Sequence, residues 1–232
     1  MIQKANTCDT KNCFMCKNCL PEWHPAIAAN KTNLKVKKGE VIFKEGDPVT
    51  GIYFVYTGLV KVYKKWDTEK ELIIRFAKEG ATFGHRGLGN NSTYPVSAAA
   101  MENGVVCYIS LEFFEATLKV NSNFTYQLLM FFADELRESE RKMRNLAHMP
   151  VKGRVAEALV ALQKQFGTNA GGFINIAISR QDLASYSGAT YETVFRMINE
   201  LVNDGLISLS AKSIRINDHD ALSVLAQDIM FP

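Results

Sequence analysis

The feature that most constrains this chain is a change of hydrophobic period at about Leu111. Before it, from about Leu34 to Ser110, short runs of β-branched and aromatic residues are broken by glycine turns. GEVIFKEGDP alternates Val41 and Phe43 with Ile42 and Lys44 and breaks at Gly46-Asp47-Pro48; GIYFVYTGLVKVYKKW turns at Thr57-Gly58. ELIIRFAKEGATFG and PVSAAAMENGVVCYIS repeat the pattern. Strands this short, so often interrupted, predict a small antiparallel barrel or roll. Beyond Leu111 the spacing becomes helical: Leu128, Phe132, Leu136, Met143 and Leu146 fall at steps of four, four, seven and three. That is one apolar stripe on a long helix, with Asp134, Arg137, Glu138 and Lys142 off it. A seven-residue step suits packing against a second copy of the same helix, a homodimer; a stripe laid on its own roll is the alternative. Met149-Pro150 closes the helix.

From Val151 the chain reads as helices followed by a small hairpin. VKGRVAEALVALQKQFG is a helix ending at Gly167, TNAGG a loop and FINIAI a short strand. The organisation expected is α+β: a cysteine-rich segment over 1–30, a roll over 31–120, a dimerisation helix over 121–149 and a winged helix-turn-helix over 150–232. The 27 basic and 24 acidic residues leave a net charge of +3, without a polybasic block, so any nucleic-acid contact must come from placed side chains. No run reaches the roughly 18 apolar residues of a membrane span and no charged leader precedes an apolar one. A cytoplasmic protein with no membrane partner is expected.

SRQDLASYSGATYETVFRMINELVNDG holds two helices about a tight turn at Ser187-Gly188-Ala189. Ser179, with Asp182 three residues on, opens the first as a capping box; Thr190 caps the second, which ends near Gly205. In this layout the second helix enters the major groove with its leading residues on the base edges. Those residues are Tyr191, Glu192, Phe195 and Arg196. Arg196 suits guanine O6 and N7, and Glu192 suits cytosine N4. Ser179, Arg180 and Thr190 stand at helix N-termini, where phosphate is favoured. LISLS and SIRIN form a hairpin about Ala211-Lys212, with Lys212 at the tip of the wing.

From about Leu34, roughly 85% of the chain resembles the CRP/FNR family of bacterial transcription regulators. GEVIFKEGDPVTGIYFVYTGLVKVY is similar to the start of their cyclic-nucleotide-binding-type roll, and Glu192, Thr193 and Arg196 match their base-reading E-T-x-x-R. The resemblance implies a homodimer that binds a roughly palindromic DNA operator and contacts RNA polymerase. Nucleotide-binding members carry a phosphate cassette of Phe-Gly-Glu, Gly-Leu and a later arginine. Here FGHRGLGNNSTYP keeps Phe83, Gly84, Gly87 and Leu88, places His85 at the glutamate position and Arg86 beside it, and has no basic residue near Pro95. Losing both polar anchors removes charge-assisted contacts, so cyclic AMP is not expected to bind.

Four of the five cysteines, Cys8, Cys13, Cys16 and Cys19, lie within twelve residues, and Cys107 stands far off. In a reducing compartment such a group binds metal or senses redox state more often than it forms structural disulfides. Oxygen-sensing members of the family have a similar N-terminal group plus one cysteine inside the roll, which implies a [4Fe–4S] cluster held by three of the four and Cys107. The C-x4-C-x2-C-x2-C spacing departs from theirs in its last gap, leaving the three open. A structural Zn(Cys)4 site and redox-active thiols without metal are the other readings, the latter two pairing with a small-molecule effector in the roll. An oxygenase site inside a roll needs two histidines and a carboxylate, and only His85 lies there, so no enzyme is expected.

Overall fold

The computed structural model describes residues 10–67 and 70–226. They form two compact units, the first reaching Glu135 apart from Lys70–Ile73, the second holding Lys70–Ile73 and the chain from Leu136. No helix among the described residues is long and apolar enough to cross a membrane.

The first unit begins with the short helices α1 (Phe14–Asn18) and α2 (His24–Asn30), separated by a 3-10 turn at Pro21–Trp23. Eight strands follow: β1 (Lys31–Val36), β2 (Val41–Phe43), β3 (Gly51–Thr57), β4 (Val60–Lys65), β5 (Glu71–Ala77), β6 (Thr82–Phe83), β7 (Ser97–Ala100) and β8 (Gly104–Ser110). They make two four-stranded sheets, ordered β1-β8-β3-β6 and β2-β7-β4-β5. The pairings β1/β8, β3/β8, β2/β7 and β4/β7 are antiparallel, as the turn-rich sequence predicts. Inward residues of both sheets bury Val36, Val55, Val62, Val96 and Val106. Between the sheets, Phe43, Tyr53, Phe83 and Tyr94 stack at centroid separations from 4.0 Å (Phe43–Tyr94) to 6.1 Å (Phe43–Phe83), so rings fill the interior of the roll.

The helical region opens with α3 (Leu111–Val120), capped by the Ser110 hydroxyl, which accepts from the Phe113 amide. Asn121 interrupts it, and α4 (Ser122–His148) then runs for 27 residues, continuing from the first unit into the second. The apolar stripe divides by location. Leu128 is buried against the roll with Phe132 packed beside it, whereas Leu136 and Met143 are 61% and 67% exposed.

The second unit contains α5 (Val151–Phe166), α6 (Arg180–Ser187), α7 (Tyr191–Asn203), the hairpin β9 (Ile207–Ser210) and β10 (Ser213–Ile216), and α8 (His219–Ala226). Its core is Val155, Leu159, Leu183, Val194, Ile198, Leu201, Ile214 and Leu222. The expected strand at FINIAI is not formed. Ile174 and Ile178 are buried, but the segment forms no ladder: it makes an isolated bridge, Thr168 with Ile174, and scattered bonds such as Asn175 amide to Gly167 carbonyl and Ile174 amide to Ile214 carbonyl. Alternating burial here serves packing without a ladder.

Candidate nucleic-acid interface and cysteine cavity

Helix α6 begins in a full capping box: the Ser179 hydroxyl accepts from the Asp182 amide at 2.9 Å, and the Asp182 carboxylate accepts from the Ser179 amide at 3.2 Å. Such a cap contributes about 1 kcal/mol. Gly188 ends α6 in the left-handed region at φ 63°, a conformation that favours glycine and turns the chain into α7. The Thr190 hydroxyl accepts from the Thr193 amide at 3.3 Å and starts α7. Because Val194, Met197, Ile198 and Leu201 are buried, the opposite face of α7 is fixed outward. That face carries Tyr191, Glu192, Phe195 and Arg196, all exposed, with the Tyr191 and Phe195 rings stacked at 6.3 Å and 17°. Ser179 and Thr190 are also exposed; Arg180 is half-buried close to Tyr191, and burial holds its guanidinium below its ordinary range against the Tyr191 hydroxyl, which acts the other way. Lys212 is exposed in the hairpin turn beside Ala211, which sits at φ 51°. Lys152 bonds Asp204 at 2.8 Å and Glu200 at 3.4 Å, tying α5 to the end of α7. The Lys142 ammonium of α4 lies 4.4 Å from the centre of the Tyr186 ring on α6.

The cysteines occupy the other unit. Cys8 lies outside the described residues. Cys13 precedes α1, Cys16 lies within it and Cys19 follows it. Cys107 is on β8, opposite Asn33 of β1 on one side and Phe54 of β3 on the other. Cys13, Cys16 and Cys107 line one open cavity together with Lys31, Asn33, Phe54, Val55, Tyr56 and Gly80. Cys19 packs instead with Met15, Ile27 and Phe114, and burial, with Cys13 nearby, pushes its thiol up to about 12. Among the described residues no three His, Cys, Asp or Glu side chains converge closely enough to hold a single metal ion. His24 is half-buried with Nε2 2.9 Å from the Cys16 carbonyl, so it braces the cysteine helix.

This segment is fastened to the start of α4. The Leu20 amide donates to Asn121 Oδ1 at 2.8 Å, Asn123 Nδ2 donates to the Asn18 carbonyl at 2.9 Å, and the Phe14 ring meets Phe124 and Phe131 at 6.0 and 5.3 Å. Trp23 stacks on Phe113 at 6.0 Å and 7°, with its indole N–H donating to Thr117.

The cassette-like loop forms a third cluster. Phe83 is buried in the ring stack, Gly84 is left-handed at φ 84°, and a Cβ on Gly87 would meet Val49 Cγ2 at 2.5 Å, so the loop geometry needs both glycines. Leu88 packs beside the cluster of Ile52, Phe54 and Phe124. His85, 2% exposed, lies edge-on to Phe131 and Phe132 of α4, and its Nε2 is 3.7 Å from Glu135. Burial lowers its pKa below the usual histidine value, and Arg75 and Arg86 add to this against the pull of Glu135. Arg86 donates to Glu135 Oε2 at 2.7 and 3.2 Å, and Arg75 donates to Oε1 at 3.1 Å and to the Thr82 carbonyl. Burial would raise the Glu135 carboxyl, but His85 and the two guanidiniums outweigh it and hold it well below the carboxylate range. An acid of α4 thus occupies the charged side of this loop. Glu135 carried no motif, although its spacing from Leu128, Phe131 and Phe132 places it on the buried face of the helix.

A roll of this topology, a long helix and a winged helix-turn-helix together define a class, the DNA-binding transcription regulators with a sensory roll. The comparisons with known proteins agree. Residues 33–121 match the cyclic nucleotide-binding domain model and residues 153–225 the Crp-like helix-turn-helix domain model. The chain is 30% identical to the transcriptional activator protein anr of Pseudomonas aeruginosa, over 93% of this chain and 91% of that one. It is 28% identical to the anaerobic regulatory protein of Pasteurella multocida, over 82% of this chain and 70% of that one. Among solved structures, FixK2 from Bradyrhizobium japonicum superposes with a TM-score of 0.76 at 26% identity, covering 85% of this chain and 98% of that one. The chain belongs to the CRP/FNR family of transcription regulators, and it is a DNA-binding protein rather than an enzyme.

Proposed function

We propose that the protein is a cytoplasmic homodimeric regulator whose binding to a roughly palindromic operator responds to oxygen or redox state through a cysteine-bound [4Fe–4S] cluster, and that it contacts RNA polymerase. The observation that carries this reading is that Cys13 and Cys16, remote in sequence from Cys107, line the same cavity with it. Thiols distributed around a cavity, rather than gathered about a point, suit a polynuclear cluster more than a single zinc ion. Cys13, Cys16 and Cys107 would be three ligands, with Cys8 or Cys19 as the fourth. Such a cluster supplies an oxygen-labile group whose presence depends on the surroundings. The relatives named for anaerobic regulation support the same signal. The ring stack that fills the roll and the carboxylate of Glu135 on the cassette loop favour the cysteines over a small-molecule site in the roll.

The chain's own residues fasten the cavity's cysteine segment to α4. Asn121, Asn123, Phe124 and Phe131 hold the Cys13–Cys19 segment against the first turns of α4. Downstream, α4 presents Leu136 and Met143 for a second copy. On α7, Arg196 and Glu192 would read base edges, with Tyr191 and Phe195 beside them and Ser179, Arg180, Thr190 and Lys212 toward phosphates. The test is oxygen-free purification with iron and sulfide analysis and absorption spectroscopy, followed by binding to sites selected from random DNA with and without air. A colourless, iron-free protein that binds equally well in both would overturn the cluster reading.

A further inference from the structure

Asn33 is 4% exposed, and neither Nδ2 nor Oδ1 has a hydrogen-bond partner among the described residues. An amide so placed is disfavoured, since its lost hydration is not replaced and nearly all buried polar side chains are bonded. Leucine, of similar size, would fill the same space without that penalty. The location gives the reason for an amide. Residues facing each other across an antiparallel ladder carry their side chains on one face of the sheet, about 5 Å apart. The β1/β8 register puts Asn33 opposite Cys107, and both line the cavity with Cys13 and Cys16. Lys31, two residues earlier and therefore on the same face of β1, lines it too.

We propose that Asn33 is a positioning residue for the cysteine cavity: its amide N–H, without a partner among the described residues, would donate to a sulfide of the cluster that Cys107 would hold and slow loss of that cluster in air. This rests on the cluster reading above. Sulfur ligands are anionic, and hydrogen bonds to them, like other contacts around a ligand set, tune the potential and retention of the metal group. An asparagine side chain offers two N–H donors without adding charge. Lys31, also lining the cavity, supplies a charge opposite in sign to the sulfur ligands.

The experiment compares wild type with Asn33→Leu, Asn33→Gln and Asn33→Asp, all purified without oxygen. Iron and sulfide content, midpoint potential and the rate of absorbance loss on exposure to air are measured, together with melting of each metal-free protein. Asn33→Leu is expected to lower the potential and bleach several-fold faster, while its metal-free form melts above metal-free wild type. Asn33→Gln is expected to restore much of the retention, and Asn33→Asp, which puts a carboxylate beside thiolates, to lose the most iron. A purely structural asparagine would not combine opposite effects on the metal-free and loaded protein. Iron-free wild type would overturn the cluster reading and this role together. Iron-loaded wild type with unchanged potential and bleaching in Asn33→Leu would overturn the Asn33 role alone. Should Asn33→Leu fail to fold, equal iron retention in Asn33→Gln and Asn33→Asp would do the same.

Discussion

Replacing Glu135 by glutamine tests whether the charge cluster on the cassette loop holds the first unit together. The carboxylate accepts three bonds, at 2.7, 3.1 and 3.2 Å, from Arg86 and Arg75, and its side chain is 18% exposed. Glutamine keeps the volume and one acceptor but removes the charge that compensates two half-buried guanidiniums. Breaking a buried pair from one side costs about 3–5 kcal/mol, and one charge-assisted bond about 1.5–3 kcal/mol. Arg75 retains the Thr82 carbonyl, and Arg86 reaches some solvent with its side chain 24% exposed, so the lower end applies. The expected loss is about 3 kcal/mol, or roughly 6–12 °C in Tm for a chain of this size. Denaturant and thermal melts of Glu135→Gln measure it, and Arg86→Met in the same background should cost much less than it does in wild type, because the two changes share one interaction. A loss below about 1 kcal/mol, or strict additivity, would show that the cluster is solvated and that α4 is held by its phenylalanines alone.

Three other outcomes follow from the same structure. The folded pKa of His85 is depressed, so as pH falls below about 6.5 the unfolded chain takes up the proton first and stability declines; above about 6.5 the contribution is fully present. Titrating the unfolding free energy should show a slope below about pH 6.5 that His85→Leu flattens, whereas the Glu135 contribution, also from a depressed pKa, is lost only as pH drops below about 4.5. Arg196→Ala should weaken operator binding by about 1–3 kcal/mol and relax preference at one base pair, read by competition against random DNA; equal binding of both DNAs by mutant and parent would misplace α7. Leu136→Glu with Met143→Glu should change the unfolding free energy by no more than about 1 kcal/mol while shifting the sedimentation profile toward monomer, since both side chains are exposed in the single chain.

Much of the fold could be read before the structure was known because the signals are local. Glycine turns, the Ser179–Asp182 capping box and the Thr190 cap each act within four residues, and the core positions Leu183, Val194, Ile198 and Leu201 follow from the helical period. FINIAI misled for a physical reason: alternating burial produces the strand signature whether or not a neighbouring strand supplies hydrogen bonds. The outward face of α7 was legible for the converse reason, since burying one side of a helix determines the other. Glu135 and Asn33 escaped because their meaning lies in partners 49 to 60 residues away for one and opposite Cys107 for the other. The same limit applies to His24, whose contact with the Cys16 carbonyl depends on how two short helices fold back.

The bonds that seat the cysteine helix span more than a hundred positions, Leu20 to Asn121 and Asn18 to Asn123. During translation the thiols of Cys13 and Cys16 leave the ribosome early, yet the wall that completes their cavity arrives with Cys107 and the clasp that fixes them only with α4. A segment made before the roll therefore settles only after it, and until β8 has emerged its thiols have no companion there to meet.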